Sequence, residues 1–237
     1  MISKEELKNA LIGKRKLHDH DGHKASGLHG DANLIYFMHD LLEKNKFFIE
    51  TGTYIGGTLR YLAENHTDVE FKSCELISQV FYYALRNCSH LNNTEIFNLT
   101  STKFINSIVN DIKSNKFKFD GIPVFWLDAH GENIDEAPVK EEIKYIVDNL
   151  KDYIILVDDT YNPNYPKQFS QLSINYFDTF LDDYNAIWPT YESTYLYQDD
   201  KLILAKPEGS AGFSSWCCIT NIEEIKNHMI FKEGTND

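Results

Sequence analysis

Acidic side chains recur where the hydrophobic runs of this chain end. Phe48-Ile49-Glu50 leads into Thr51-Gly52-Thr53-Tyr54-Ile55-Gly56-Gly57, and Phe71-Lys72-Ser73-Cys74 into Glu75. Trp126-Leu127 leads into Asp128, and Leu156-Val157 into Asp158-Asp159. Glycines at such a turn let a ligand approach the backbone closely and admit unusual dihedrals. The spacing is G-x-x-x-G-G, not the G-x-G-x-x-G of a dinucleotide site, and Glu50 would repel a pyrophosphate. An acid there suits a cationic or hydroxyl-rich ligand; a plain tight turn from strand to helix would use the same residues. Glu75 stands where an acid commonly accepts from both ribose hydroxyls, or where the macrodipole favours a helix-start acid.

Asp128, Asp158 and Asp159 gather at one rim if their strands are neighbours. Close carboxylates raise one another's pKa unless a cation intervenes, and a hard divalent ion such as Mg²⁺ takes oxygen ligands of this kind. Consecutive strand residues face opposite ways, so Asp158 and Asp159 share an ion only where the chain is already turning. Otherwise Asp159 opens an Asx-type turn. His130, two residues past Asp128, is the candidate base, with a supporting role behind the site as the alternative. Thr100-Ser101, after Asn98-Leu99, could meet an adenine edge or cap the next helix. His18, Asp19, His20, Asp21, His23 and His29 crowd one polar segment. That segment reads as a solvated stretch, a transition-metal site or a lid over the ligands.

These residues need a scaffold, and the chain supplies one. Short apolar runs at Lys46–Glu50, Val69–Cys74, Glu95–Leu99, Ile122–Asp128 and Tyr153–Val157 read as strands. Helical spacing of apolar residues marks 33–45, 58–64, 77–88, 103–113, a helix opening at Pro138, and 169–184. Alternation of this kind predicts a mostly parallel sheet covered on both faces, with ligands beyond the carboxyl ends of the strands. Asp199-Asp200 between two strand-like runs predicts a hairpin, hence an antiparallel strand at one sheet edge. Residues 4–12 read as a short helix, and residues 1–32 are expected as an N-terminal helix plus His-rich loop, set apart from a domain over 33–237.

The glycine turn after Glu50, then Glu75, then Thr100-Ser101 resembles the class I S-adenosylmethionine-dependent methyltransferases over about residues 33–206. The resemblance implies a three-layer, Rossmann-like α/β fold with a C-terminal antiparallel hairpin. It places Glu50, Gly52, Thr53 and Gly56 by the methionine part of the cofactor, Glu75 on its ribose, Thr100 or Ser101 near adenine, and Asp128 close by. The acids after the fourth and fifth strands are similar to those of the metal-dependent, catechol-type and sugar-modifying branch, where they hold magnesium. Gly131 stands where that branch carries a lysine. The implied reaction is O-methylation of a small molecule, with Asp128, Asp158 and Asp159 on a divalent ion and His130 taking the proton. Three rivals remain: a cofactor-binding or partner module without catalysis, a metal-dependent oxygenase or hydrolase using His130, and a nicotinamide-dependent oxidoreductase, which the glycine spacing disfavours.

Composition narrows the partners. Of 237 residues, 23 are Lys or Arg and 36 Asp or Glu, a net charge of −13. Lys14-Arg15-Lys16 is the densest basic cluster, so a nucleic acid backbone, which is bound mainly by basic side chains, is not expected. No apolar run approaches the ~20 residues of a membrane span, and the N-terminus lacks the apolar core of a signal peptide. A cytoplasmic protein is expected, and self-association stays open. Cys74, Cys88, Cys217 and Cys218 form no C-x-x-C pair; reduced, buried thiols are expected.

Overall fold

The structure is a computed structural model, which describes residues 5, 7, 11, 27–129, 138–160, 162–164, 181–191, 195–198, 201–204 and 215–232. Six strands form the main sheet: β1 (Phe47–Thr51), β2 (Glu70–Cys74), β3 (Thr94–Phe97), β4 (Val124–Leu127), β5 (Ile154–Val157) and β8 (Cys217–Thr220). Their order is β3-β2-β1-β4-β5-β8. All pairs are parallel except β5 with β8. The expected three-layer, mostly parallel, Rossmann-like fold is present.

Strand residues alternate between two cores. Phe48 packs on one face with Leu34, Phe37, Leu62 and Trp126. Phe47 and Ile49 pack on the other with Phe104, Ile108, Ile143 and Ile146. The first face is covered by α1 (Ala32–Lys44) and α2 (Gly57–Asn65), with Cys88 of α3 (Ser78–Cys88). The second is covered by α4 (Ser101–Lys113) and α5 (Val139–Asn149). Strands buried on both faces explain the unbroken apolar run Val124-Phe125-Trp126-Leu127. Near the N-terminus, Leu7, Leu11 and Leu28 are buried in the first core. Asp31 caps α1, its Oδ1 accepting from the Asn33 and Leu34 amides, as a short acceptor at this position should.

The hairpin around Asp199-Asp200 forms, as β6 (Tyr195–Gln198) with β7 (Lys201–Leu204), but it is a separate two-stranded sheet. The antiparallel edge of the main sheet is β8 instead, paired from Cys217 to Thr220 along β5. The helix expected over 169–184, the segment from His18 to His23, and His130 with Gly131 and Glu132 lie outside the described residues, except for a short 3₁₀ turn at Asp182–Tyr184. No helix of the described residues is long and apolar enough to cross a membrane. All four cysteines are buried and free.

Candidate functional site

The carboxyl ends of β1, β2, β4 and β5 meet at one rim, and the glycine turn closes over it. Gly52 has φ +80, and a Cβ there would lie 2.3 Å from the Asp128 carbonyl oxygen. Only glycine lets the turn lie against the end of β4. The Gly52 and Thr53 amides both donate to the Cys74 carbonyl at 3.0 Å, and the Gly56 amide to the Thr53 carbonyl at 2.8 Å. Gly56, at φ +85, then caps α2 with a left-handed backbone. Tyr54 between them also has a left-handed φ of 50, uncommon for a side-chain-bearing residue and concentrated at functional turns.

Glu75 is clasped across this turn. Its Oε2 accepts from the Tyr54 amide at 2.9 Å and its Oε1 from the Ile77 amide at 2.8 Å. The carboxylate is thus held between the glycine turn and the start of α3. Around it the surface is apolar: Tyr54, Leu76, Ile77 and Leu99 are all exposed. Asn98 stitches the two loops together, its Nδ2 donating to the carbonyls of Glu75 (2.7 Å) and Leu76 (3.0 Å).

Behind the turn lie two buried carboxyls, one on each face of the sheet. Glu50 pairs in register with Ser73 and Trp126. The Ser73 hydroxyl donates to its Oε2 at 2.6 Å and also meets the Thr53 hydroxyl. Burial chiefly pushes the Glu50 pKa up to about 8; Ser73 pulls it back, and the charges of Asp128 and Glu75 add to the rise. Glu142, in the first turn of α5, is raised to about 7, again chiefly by burial, with the Ser101 and Thr51 hydroxyls opposing. Both groups hold protons where ordinary carboxylic acids have lost them.

The three aspartates do converge. The Asp128 amide donates to the Thr51 carbonyl at 3.1 Å and the Asp158 amide to the Leu127 carbonyl at 3.0 Å, which sets β4 and β5 level at the rim. Asp159 has a left-handed φ of 54, so the chain is already turning at the second acid. The Asp159 amide donates to Asp158 Oδ1 at 2.9 Å. One oxygen from each of Asp128, Asp158 and Asp159 lies within 4.8 Å of the others. Ligand distances of ~2.1–2.5 Å from a shared hard cation span such a triangle, and an all-oxygen set is what Mg²⁺, Mn²⁺ or Ca²⁺ requires. The donor set fits a divalent ion.

Of the other expected residues, Thr53 is buried with its hydroxyl turned to Ser73. Ser101 is buried beside Glu142, and the Thr100 hydroxyl is buried at the start of α4 without a hydrogen-bond partner among the described residues. Burial raises the thiol pKa values of Cys74, Cys88 and Cys217, that of Cys88 to about 12, so these thiols stay protonated. Two participants have no role assigned from the sequence, Ser73 and Glu142; Asn98, part of the polar end of the third strand, bonds the backbone after β2. The short polar Ser73 in register beside Glu50 was the available signal; Glu142 looks like any acid in a first helical turn.

No known protein family matches the chain, and no curated protein matches it. Similar solved structures include an O-methyltransferase from Bacillus cereus in complex with SAH. It is 14% identical, covers 86% of this chain and 84% of its own, and has a TM-score of 0.49. An SAH-bound methyltransferase of Podospora anserina is 18% identical over 69% of this chain and 66% of its own, with a TM-score of 0.44. An O-methyltransferase from Streptomyces achromogenes involved in tomaymycin synthesis, in complex with SAM, is 15% identical, covers 66% of each chain and has a TM-score of 0.43. The chain thus spans just under two thirds of the length of the latter two.

Proposed function

We propose that this protein is an S-adenosylmethionine-dependent methyltransferase that methylates a hydroxyl of a small molecule with the help of a divalent ion. The observation that carries the reading is the Glu75 carboxylate, fixed by the Tyr54 and Ile77 amides at the glycine turn and bordered by exposed apolar side chains. A carboxylate so fixed has lone pairs left for a ribose diol, while Leu76, Ile77 and Leu99 offer a flat apolar surface to a base. The rim is acidic, and the charges of Asp128 and Glu75 both reach the buried Glu50. That field favours a cation and opposes a pyrophosphate.

When bound, the cofactor supplies an electrophilic methyl group on a sulfonium, and a divalent ion lowers the pKa of a coordinated hydroxyl. The chain's own part is positioning. Gly52 lets the turn lie close against the end of β4, Glu75 orients the nucleoside end, and Asp128, Asp158 and Asp159 would hold the ion. His130 is assigned the acceptor's proton on its place two residues beyond Asp128; as a base it must be neutral, which an unperturbed imidazole largely is above pH ~6.5. Productive geometry of two bound reactants is worth several orders of magnitude in rate.

Calorimetry with S-adenosylhomocysteine tests the reading without knowledge of the acceptor. Hydrogen bonds to a charged group are worth ~1.5–3 kcal/mol, so Glu75→Ala should bind ~10- to 150-fold more weakly than the wild-type protein. Equal affinity in a folded variant would remove the ribose from Glu75.

A further inference from the structure

Glu142 has no part in the reading above, yet it is 1% exposed and sits behind the same rim. Thr51 is the last residue of β1 and faces the α4–α5 side, as Ile49 does. Its hydroxyl donates to Glu142 Oε2 at 3.5 Å. The same hydroxyl oxygen accepts from the Asp128 amide at 3.3 Å, alongside that amide's bond to the Thr51 carbonyl at 3.1 Å. A hydroxyl can donate and accept at once, so the chain runs one way: Asp128 N–H to Thr51 O–H to Glu142 Oε2. Among the described residues the other oxygen, Oε1, is buried without a hydrogen-bond partner in good geometry, with the Ser101 hydroxyl beside the carboxyl. A carboxyl retained between helix and sheet with one oxygen poorly satisfied costs stability. A leucine would fill the space more favourably, which points to a role other than packing.

We propose that Glu142 is a positioning residue for Asp128, acting through the Thr51 hydroxyl to fix the peptide at the end of β4 against the glycine turn. The contact is tight enough for a small movement to matter, since a Cβ on Gly52 would already overlap the Asp128 carbonyl. Asp128 anchors one corner of the three-carboxylate cluster, so releasing its peptide would spread the cluster. The inference rests on the functional reading only for the consequence of that spreading; the coupling itself is a property of the fold.

The test is amide hydrogen exchange by NMR on the full chain, comparing Thr51→Val, Glu142→Leu, Glu142→Gln and the double variant Thr51→Val/Glu142→Leu. All are close in volume to the native residues, and Glu142→Gln keeps the polar outline should Glu142→Leu fail to fold. Exchange at Asp128 should rise about fivefold in each leucine or valine variant and less in Glu142→Gln, while Phe125 and Trp126 of the same strand stay unchanged. The double variant should exchange no faster than Thr51→Val alone, because both substitutions cut one chain of contacts. A uniform rise along β4 would assign Glu142 to general stability, and an unchanged Asp128 or additive effects would overturn the coupling. MnCl₂ and S-adenosylhomocysteine titrations run in parallel separate the two claims. Glu142→Leu should weaken Mn²⁺ about fivefold and leave S-adenosylhomocysteine unaffected. If the wild-type protein binds neither probe while Asp128 responds as described, the functional reading falls and the coupling stands.

Discussion

At neutral pH Glu50 keeps its proton, because burial between β2 and β4 penalises its charge more than the Ser73 hydroxyl compensates. Its folded pKa, about 8, lies above the ~4.3 of an unfolded chain. Between those values the folded protein binds more protons than the unfolded one, so stability falls as pH rises through that window. Glu142 acts in the same sense up to about 7. Glu50→Gln removes the larger share. Denaturant midpoints measured at about pH 5 and about pH 9 should therefore fall further apart in the wild-type protein than in Glu50→Gln. Parallel losses in the two proteins would mean that Glu50 is ionised in the fold. The same property decides what Glu50 can do for a ligand. Neutral and enclosed by Ser73 and Thr53, it supports the floor of the turn, and contact with ligands falls to Glu75 and the aspartates.

At the scale of elements, the turn joining β1 to α2 does most of the positioning, and Gly52 is its most constrained point. Gly52→Ala meets the Asp128 carbonyl at 2.3 Å and must adopt φ +80. A strained backbone residue alone costs ~1–3 kcal/mol, and relief requires the turn to leave β4. Gly52→Ala should lower stability by at least that amount, and its S-adenosylhomocysteine affinity should drop even where the protein stays folded. A variant as stable and as tight as the wild type would show the turn to be slack. Much of this element was legible in the sequence. The glycine spacing, the acids closing the strands and the helical faces are local patterns, and the described elements bordering the site begin and end within two residues of the expected limits. What was not legible is pairing at a distance. Asp199-Asp200 announces a hairpin but not which sheet it joins, since register between remote segments is set by packing. Cys217-Cys218-Ile219-Thr220 was read for its thiols, although four consecutive buried residues also suit a strand covered on both faces. Glu142 carries no signal of its own, because acids in a first helical turn are normally placed there by the macrodipole; only the packing of α5 against α4 shows that this one points inward.

For the whole molecule, the sheet brings acids from the ends of three strands to one rim beside the neutral Glu50: Glu75 after β2, Asp128 after β4, and Asp158 with Asp159 after β5. Together with a net charge of −13, this favours cationic ligands at that rim and disfavours polyanions. The two halves of the proposed function lie on either side of the glycine turn, Glu75 toward α3 and the aspartates toward β5. A single experiment addresses both: a crystal structure of the wild-type protein grown with S-adenosylhomocysteine and Mn²⁺, with anomalous data recorded at the manganese edge. The expected result is a ribose whose two hydroxyls lie within hydrogen-bonding distance of Glu75, and an anomalous peak among the carboxylates of Asp128, Asp158 and Asp159. A nucleoside bound elsewhere, or a glycine turn that stays empty at saturating ligand, would contradict the assignment of this fold to methyl transfer.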